Sequence, residues 1–189
     1  MSSAVQEQAF PQGQHIPHWF LSKFKPHGEF TGIDRPKAIL ILLYLKSPKG
    51  DMSYLEKIRS LGREANPFFC MTGIDIMTSE PGAAVLLMPV RPDMHNGVGW
   101  LQGGMLVALA DEAMALALYP LLEKNEGIAT IAESTSFIRG VQTGTIIAEA
   151  RVIRKGRRVA FMEADVWADD GKKTLLSRTS ASFAITAAT

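Results

Sequence analysis

Cysteine is nearly absent from this chain. Cys70 is the only one, which rules out an intramolecular disulfide and a thiolate metal cluster and fits a reducing cytoplasm. An excess of either charge is missing too: Lys and Arg number 20 against 19 Asp and Glu, a formal net charge of +1, so no nucleic-acid surface is expected. Charged residues at 21% and apolar ones at 47% describe an ordinary globular protein rather than a disordered chain. Met1 to Gly13 carries Ser, Gln and Glu where a signal peptide would need a basic start and then an apolar run. Long apolar runs are few. Ala38 to Leu45 is too short to span a bilayer. Gly104 to Leu122 approaches spanning length but holds Asp111 and Glu112 side by side at its centre, a costly placement in lipid; it reads as a buried helix of a soluble protein, and no membrane partner is expected.

What is there suggests one core with an appendage. Residues 1–50 form an N-terminal extension punctuated by Pro11, Pro17, Pro26 and Pro36, and residues 51–189 form the domain. Pro36 to Lys46 is too brief to choose between helix and strand. His15 and His18 make poor metal ligands, because Pro17 breaks their register and no carboxylate stands near; no metal site is expected. Met52 to Ala65 has Leu55, Ile58 and Leu61 at helical spacing and should stop at Asn66-Pro67.

Strands are expected from Phe68 to Met77, Ala83 to Val90, Ala129 to Ile138, Thr145 to Arg154, Val159 to Trp167 and Thr174 to Ile185. In the third, Thr130, Ala132, Ser134 and Ser136 share one face, with Ile131, Glu133, Thr135 and Phe137 on the other. Ile146, Ala148, Ala150 and Val152, then Ala160, Met162, Ala164 and Val166, point inward from the next two. Lys155-Gly156 and Asp170-Gly171 supply the positive φ of tight hairpins, so consecutive strands pair antiparallel. A helix from Gly103 to Pro120, about 17 residues, is apolar on every side and must be enclosed. An α+β architecture satisfies this, with one long helix wrapped by an antiparallel sheet of about five or six strands.

Two features carry chemistry. Asp111 is a carboxylate in the middle of an apolar helix, where it must be hydrogen-bonded, neutralised or used, and burial should raise its pKa. Glu112 lies about 100° further round the helix, so only one of the pair is expected to face a site. The segment His95 to Gly104 is glycine-rich and leads into the same helix, whose first amides can receive an oxyanion. Asp111 is eight residues beyond Gly103, about 12 Å along the axis, too far for both to act on one carbonyl within one helix. A second copy must supply one of them, as two antiparallel helices in a symmetric dimer would. Arg157 and Arg158, with Arg154 and Lys155, cluster at one hairpin tip and could clamp phosphate. Cys70, among Phe68, Phe69 and Met71, reads as a buried apolar residue rather than a nucleophile.

The run Asn96-x-x-Gly99-x-x-Gln102-Gly103-Gly104, then Leu109-Ala110-Asp111, Thr130 to Gly140 with Phe137-Ile138-Arg139, and Gly156-Arg157 resembles the hotdog-fold acyl-CoA thioesterases of the phenylacetate-degradation (PaaI-like) type, over roughly Asn66 to Ile185. The resemblance implies hydrolysis of an acyl-CoA thioester between two subunits of a homodimer or dimer of dimers, with no cofactor. Asp111 would be general base or nucleophile, and Asn96 would place the carbonyl or the water. The Gly103 amide would form the oxyanion hole beside Gly104, Thr130 would orient the water, and Arg157 and Arg158 would hold CoA. One departure is Gln102, where the family usually has histidine: its amide can donate to a carbonyl but cannot shuttle a proton. The rival readings are a catalytically silent acyl-CoA-binding module and a hotdog dehydratase or hydratase, which would need a histidine paired with an acid.

Overall fold

A computed structural model describes residues 53–187. The expectations for residues 1–50, among them the extension, the segment Pro36 to Lys46 and the two histidines His15 and His18, lie outside the described residues.

The chain enters the described region through a reciprocal cap. The Ser53 hydroxyl accepts from the Glu56 amide while the Glu56 carboxylate accepts from the Ser53 amide, which starts helix α1, Tyr54–Leu61. A 3-10 turn, Gly62–Ala65, follows. Asn66 then does more than end the helix. Its Oδ1 accepts from the Phe68 amide at 2.9 Å, and Pro67 occupies the first helical position, so the pair opens a second helix, α2, Pro67–Thr72. The strand expected from Phe68 is therefore wrong in its first half: an Asn-Pro step starts a helix as readily as it stops one. Gly73, left-handed at φ 78, closes α2. On its outer side Cys70 is exposed rather than buried, with Sγ 3.4 Å from the Arg63 carbonyl.

Six strands make one antiparallel sheet: β1, Asp75–Glu80; β2, Ala83–Pro89; β3, Glu126–Phe137; β4, Thr145–Lys155; β5, Val159–Ala168; and β6, Thr174–Ala187. Their order across the sheet is β1-β2-β4-β5-β6-β3. The inward alternation of β4 and β5 is as the sequence suggests, with Ile146, Ala148, Ala150, Ala160, Met162, Ala164 and Val166 buried. The two hairpin glycines differ. Gly171 has φ 71, but Gly156 has an ordinary φ and is required for space, since a Cβ there would meet the Val159 carbonyl oxygen at 2.9 Å.

The small inward side chains let helix α3, Gly103–Leu118, seat against the sheet. Leu106, Leu109, Ala110, Ala113, Met114, Leu116, Ala117 and Leu118 are buried there. By length and composition alone Gly103–Leu121 could cross a bilayer; in the fold it is the core. The β1–β2 turn fixes its far end, where the Gly82 amide donates to the Ala117 carbonyl at 3.0 Å and the Ser79 hydroxyl to that of Leu116 at 2.9 Å.

Among the described residues the edge strand β3 has β6 as its sole neighbour. Its register slips between Thr130 and Ala132: Thr130 stands opposite Phe183, Ala132 opposite Ser182 and Glu133 opposite Ala181. Ile131 is thus a bulge residue. Phe183 and Ala181 face the core, so Thr130 points to the helix side with Glu133, Thr135 and Phe137. The expected grouping of Thr130 with Ala132, Ser134 and Ser136 fails for this one residue, because an inserted residue reverses the alternation.

Candidate active site

The bulge sets the geometry of the site. By turning Thr130 toward α3 it lets the threonine hydroxyl donate to Asp111 Oδ1 at 3.1 Å. Asp111 is half-buried, and burial pushes its carboxyl above the ordinary aspartate range against the opposing pull of that hydrogen bond. A carboxylate so placed is a stronger base than one in water and is held in one orientation.

Asp111 is not alone in its depression, a cavity of about 440 Å³ that also includes Glu112, Asn66, Tyr54, Tyr119 and Thr130 in its lining. This corrects the expectation that only one of the adjacent acids faces a site. The 100° between them along the helix is real, but helices α1 and α2 fold over this flank of α3 and enclose a space wide enough to take both. Burial, then the Asp111 charge, pushes Glu112 up to about 7, with the Asn66 amide opposing. Tyr54 is pushed up to about 12, again chiefly by burial; its hydroxyl accepts from Asn66 Nδ2 at 3.0 Å, and its ring lies 5.0 Å from that of Tyr119. Glu133 approaches from β3, raised by burial and by Asp111. Asn66 and Tyr54 were legible only as helix punctuation and core; no sequence signal tied them to Asp111.

The glycine-rich segment lies at the N-terminus of α3, about two turns before Asp111. Asn96 Oδ1 accepts from the amides of Val98 and Trp100, both at 3.1 Å, and Gly99 turns at φ 82, closing a loop that the Gln102 amide ties to the Met94 carbonyl at 2.9 Å. Gln102 is exposed at the helix cap and makes no side-chain capping bond. Phe137 covers Gly103, where a Cβ would come within 3.1 Å of its ring, while Gly104 is open. Arg157 and Arg158 are exposed at the β4–β5 tip, whose Lys155 pairs with Glu126 at 3.2 Å. Thr130 is therefore the one expected partner that a single chain brings to Asp111. Among the described residues no group of three or more His, Cys, Asp or Glu could hold a metal ion.

The sequence pattern of the thioesterase superfamily matches residues 99–175, the stretch from the helix approach through β5. The acyl-coenzyme A thioesterase PaaI of Escherichia coli K12 is 32% identical over 109 residues, covering 56% of this chain and 74% of that protein. The chain belongs to the PaaI-like thioesterases. A 1,4-dihydroxy-2-naphthoyl-CoA hydrolase of Listeria monocytogenes is 27% identical over 56% of this chain and 86% of its own length. A thioesterase family protein from Silicibacter pomeroyi shares the fold, with a TM-score of 0.64 at 23% identity, over 71% of this chain and 99% of that one. The long helix and six-stranded antiparallel sheet are thus the hotdog fold of this thioesterase family. Within that frame Asp111 and Thr130 are joined by a hydrogen bond on the flank of α3.

Proposed function

We propose that this chain hydrolyses an acyl-CoA thioester to the free acid and CoA at sites shared between two copies. The observation that carries the reading is Asp111, half-buried on an apolar helix, its pKa raised, one oxygen held by Thr130. As general base it takes a proton from water; the water oxygen bonds to the carbonyl carbon, and the tetrahedral oxyanion meets the Gly103 amide. The carbonyl then re-forms, the C–S bond breaks, and the proton held by Asp111 passes to the departing CoA thiolate. As nucleophile Asp111 would instead form a mixed anhydride that water cleaves. In this reading the side-chain amides of Asn96 and Gln102 direct the carbonyl, Gly104 leaves room for the thioester, and Arg157 and Arg158 hold CoA phosphates.

Sharing follows from direction. Thr130 lies at Asp111 and Phe137 at Gly103, so β3 and α3 run antiparallel, side by side. Two copies joined through their open β3 edges, about an axis near Glu133 and Ser134, bring Gly103 of one beside Asp111 of the other. The exposed Ile131, Phe137 and Ile138 on this flank are apolar surface such a contact would cover. We read the protein as a cytoplasmic homodimer or dimer of dimers, with residues 51–189 as the hydrolase domain behind an extension at 1–50. A dehydratase reading is disfavoured because His95 Nε2 is already engaged with the Gln142 carbonyl, at 2.9 Å.

The test is free-thiol release from a panel of acyl-CoAs. Asp111→Asn should lower kcat/KM by about 10²- to 10⁴-fold. Undiminished release in that variant would overturn the assignment, and ligand binding without release by the natural protein would favour a silent acyl-CoA-binding module.

A further inference from the structure

The depression at Asp111 extends away from Thr130 toward a wall that the hydrolysis itself does not use. Tyr54, Asn66, Glu112 and Tyr119 form that wall. Asn66 Nδ2 donates to the Tyr54 hydroxyl at 3.0 Å, while Asn66 Oδ1 is occupied by the Phe68 amide at 2.9 Å, so the asparagine and tyrosine are fixed in place. The Glu112 carboxyl lies among them on the next position of α3 after Asp111. Ala65, Ala115, Ile128 and Phe183 supply the apolar remainder. No Lys, Arg or His lines this depression among the described residues.

A pocket for a plain alkyl chain gains nothing from a half-buried carboxyl at its wall, since an apolar ligand would strip that group of water and offer no hydrogen bond in return. Two acids facing one space, with no cation of the protein between them, would be relieved by a ligand that brings a donor. Glu112 is held partly neutral at ordinary pH by burial and the Asp111 charge, and an ammonium group on its side away from Asp111 would favour its charged form.

Building on the hydrolase reading above, we propose that Glu112, backed by Asn66 and Tyr54, determines acyl specificity: it selects acyl groups that carry a hydrogen-bond donor at their far end, a protonated amine foremost, and rejects those that end in a carboxylate. The apolar lining takes the methylenes that join that donor to the thioester, whose carbonyl is at Asp111. Glu112 is a specificity-determining residue here, and Asp111 remains the base.

The experiment uses four acyl-CoAs of matched length, ending in amine, hydroxyl, methyl or carboxylate, and their non-hydrolysable thioether analogues. Thiol release gives kcat/KM and calorimetry gives Kd, for the full chain and for Glu112→Gln and Glu112→Leu. The natural protein should favour amine over methyl by roughly tenfold to a hundredfold, with hydroxyl between and carboxylate last. Glu112→Gln should erase the amine advantage while retaining much of the hydroxyl one; Glu112→Leu should reverse the order in favour of methyl. A ranking in which methyl equals or exceeds amine in the natural protein, or one that Glu112→Gln leaves unchanged, overturns the proposal. Absence of thiol release with the same ranking in Kd would overturn hydrolysis alone and leave the selectivity standing; circular dichroism of each variant confirms that it is folded.

Discussion

At the candidate site Thr130 acts on Asp111 through a hydroxyl only two bonds from its backbone. Its hydroxyl lowers the Asp111 pKa where burial raises it, and the two oppose each other in setting where the carboxyl ionises. Because a base works only when deprotonated, activity should rise with pH through the elevated pKa of Asp111 and level off above it. Thr130→Val removes the hydrogen bond that stabilises the charged form, so its acid limb should move to higher pH, with reduced turnover at the plateau. A pH–rate profile for thiol release checks both; a limb that stays in place would separate Thr130 from the titration. The exposed Cys70 behaves differently: burial and the nearby Glu64 push its thiol up, away from the thiolate a nucleophile needs.

At the level of elements, a bulge in β3 is what lets Thr130 face α3 with Ile131 between it and Ala132. Deleting Ile131 would join Thr130, opposite Phe183, directly to Ala132, opposite Ser182, so alternation becomes strict with Thr130 still turned toward α3. The variant should stay folded, since Glu133 to Phe137 keep their register with β6, and retain most of its thiol release, in contrast to a direct threonine replacement. Circular dichroism with the thiol assay tests this, and a loss as severe as that of Thr130→Val would sink the reading of Ile131 as the extra residue of the bulge. That feature was out of reach of the sequence: alternation of Ile131, Glu133, Thr135 and Phe137 is unbroken as text, and only pairing with β6 shows where it slips. Helix α3 was readable almost to the residue because its apolar run is long and its breaker, Pro120, is strong. Helix α2 was misread for the opposite reason. Six residues, Pro67–Thr72, carry too little period to be told from a strand, and the same brevity hid Asn66 and Tyr54 from any account of the site.

Across the whole molecule, the two halves of the proposed chemistry, Gly103 at the start of the helix and Asp111 at its middle, are united in the proposed site by two chains. This invites complementation. Gly103→Pro deletes the amide at the first helical position; the extended Gln102, at φ -59 and ψ 128, already suits proline there, and the Phe137 ring, 3.1 Å from a Cβ at this position, has to turn aside to admit it. Mixed after co-refolding with Asp111→Asn, it should recover about a quarter of natural activity, since half the dimers pair unlike chains and each of these holds one intact site of two. No recovery from two inactive but folded parents would refute the shared arrangement.

The open side of β3 also bears on how the protein must be handled. Among the described residues, the twelve of Glu126–Phe137 offer a ladder with one rail filled and the other bare, flanked by Ile131 and Phe137 in contact with water. Such an edge accepts whatever extended peptide arrives first. Refolding yield should therefore turn on a race between correct mating of chains and indiscriminate sticking, and anything that slows the first will surface as precipitate before it surfaces as lost catalysis.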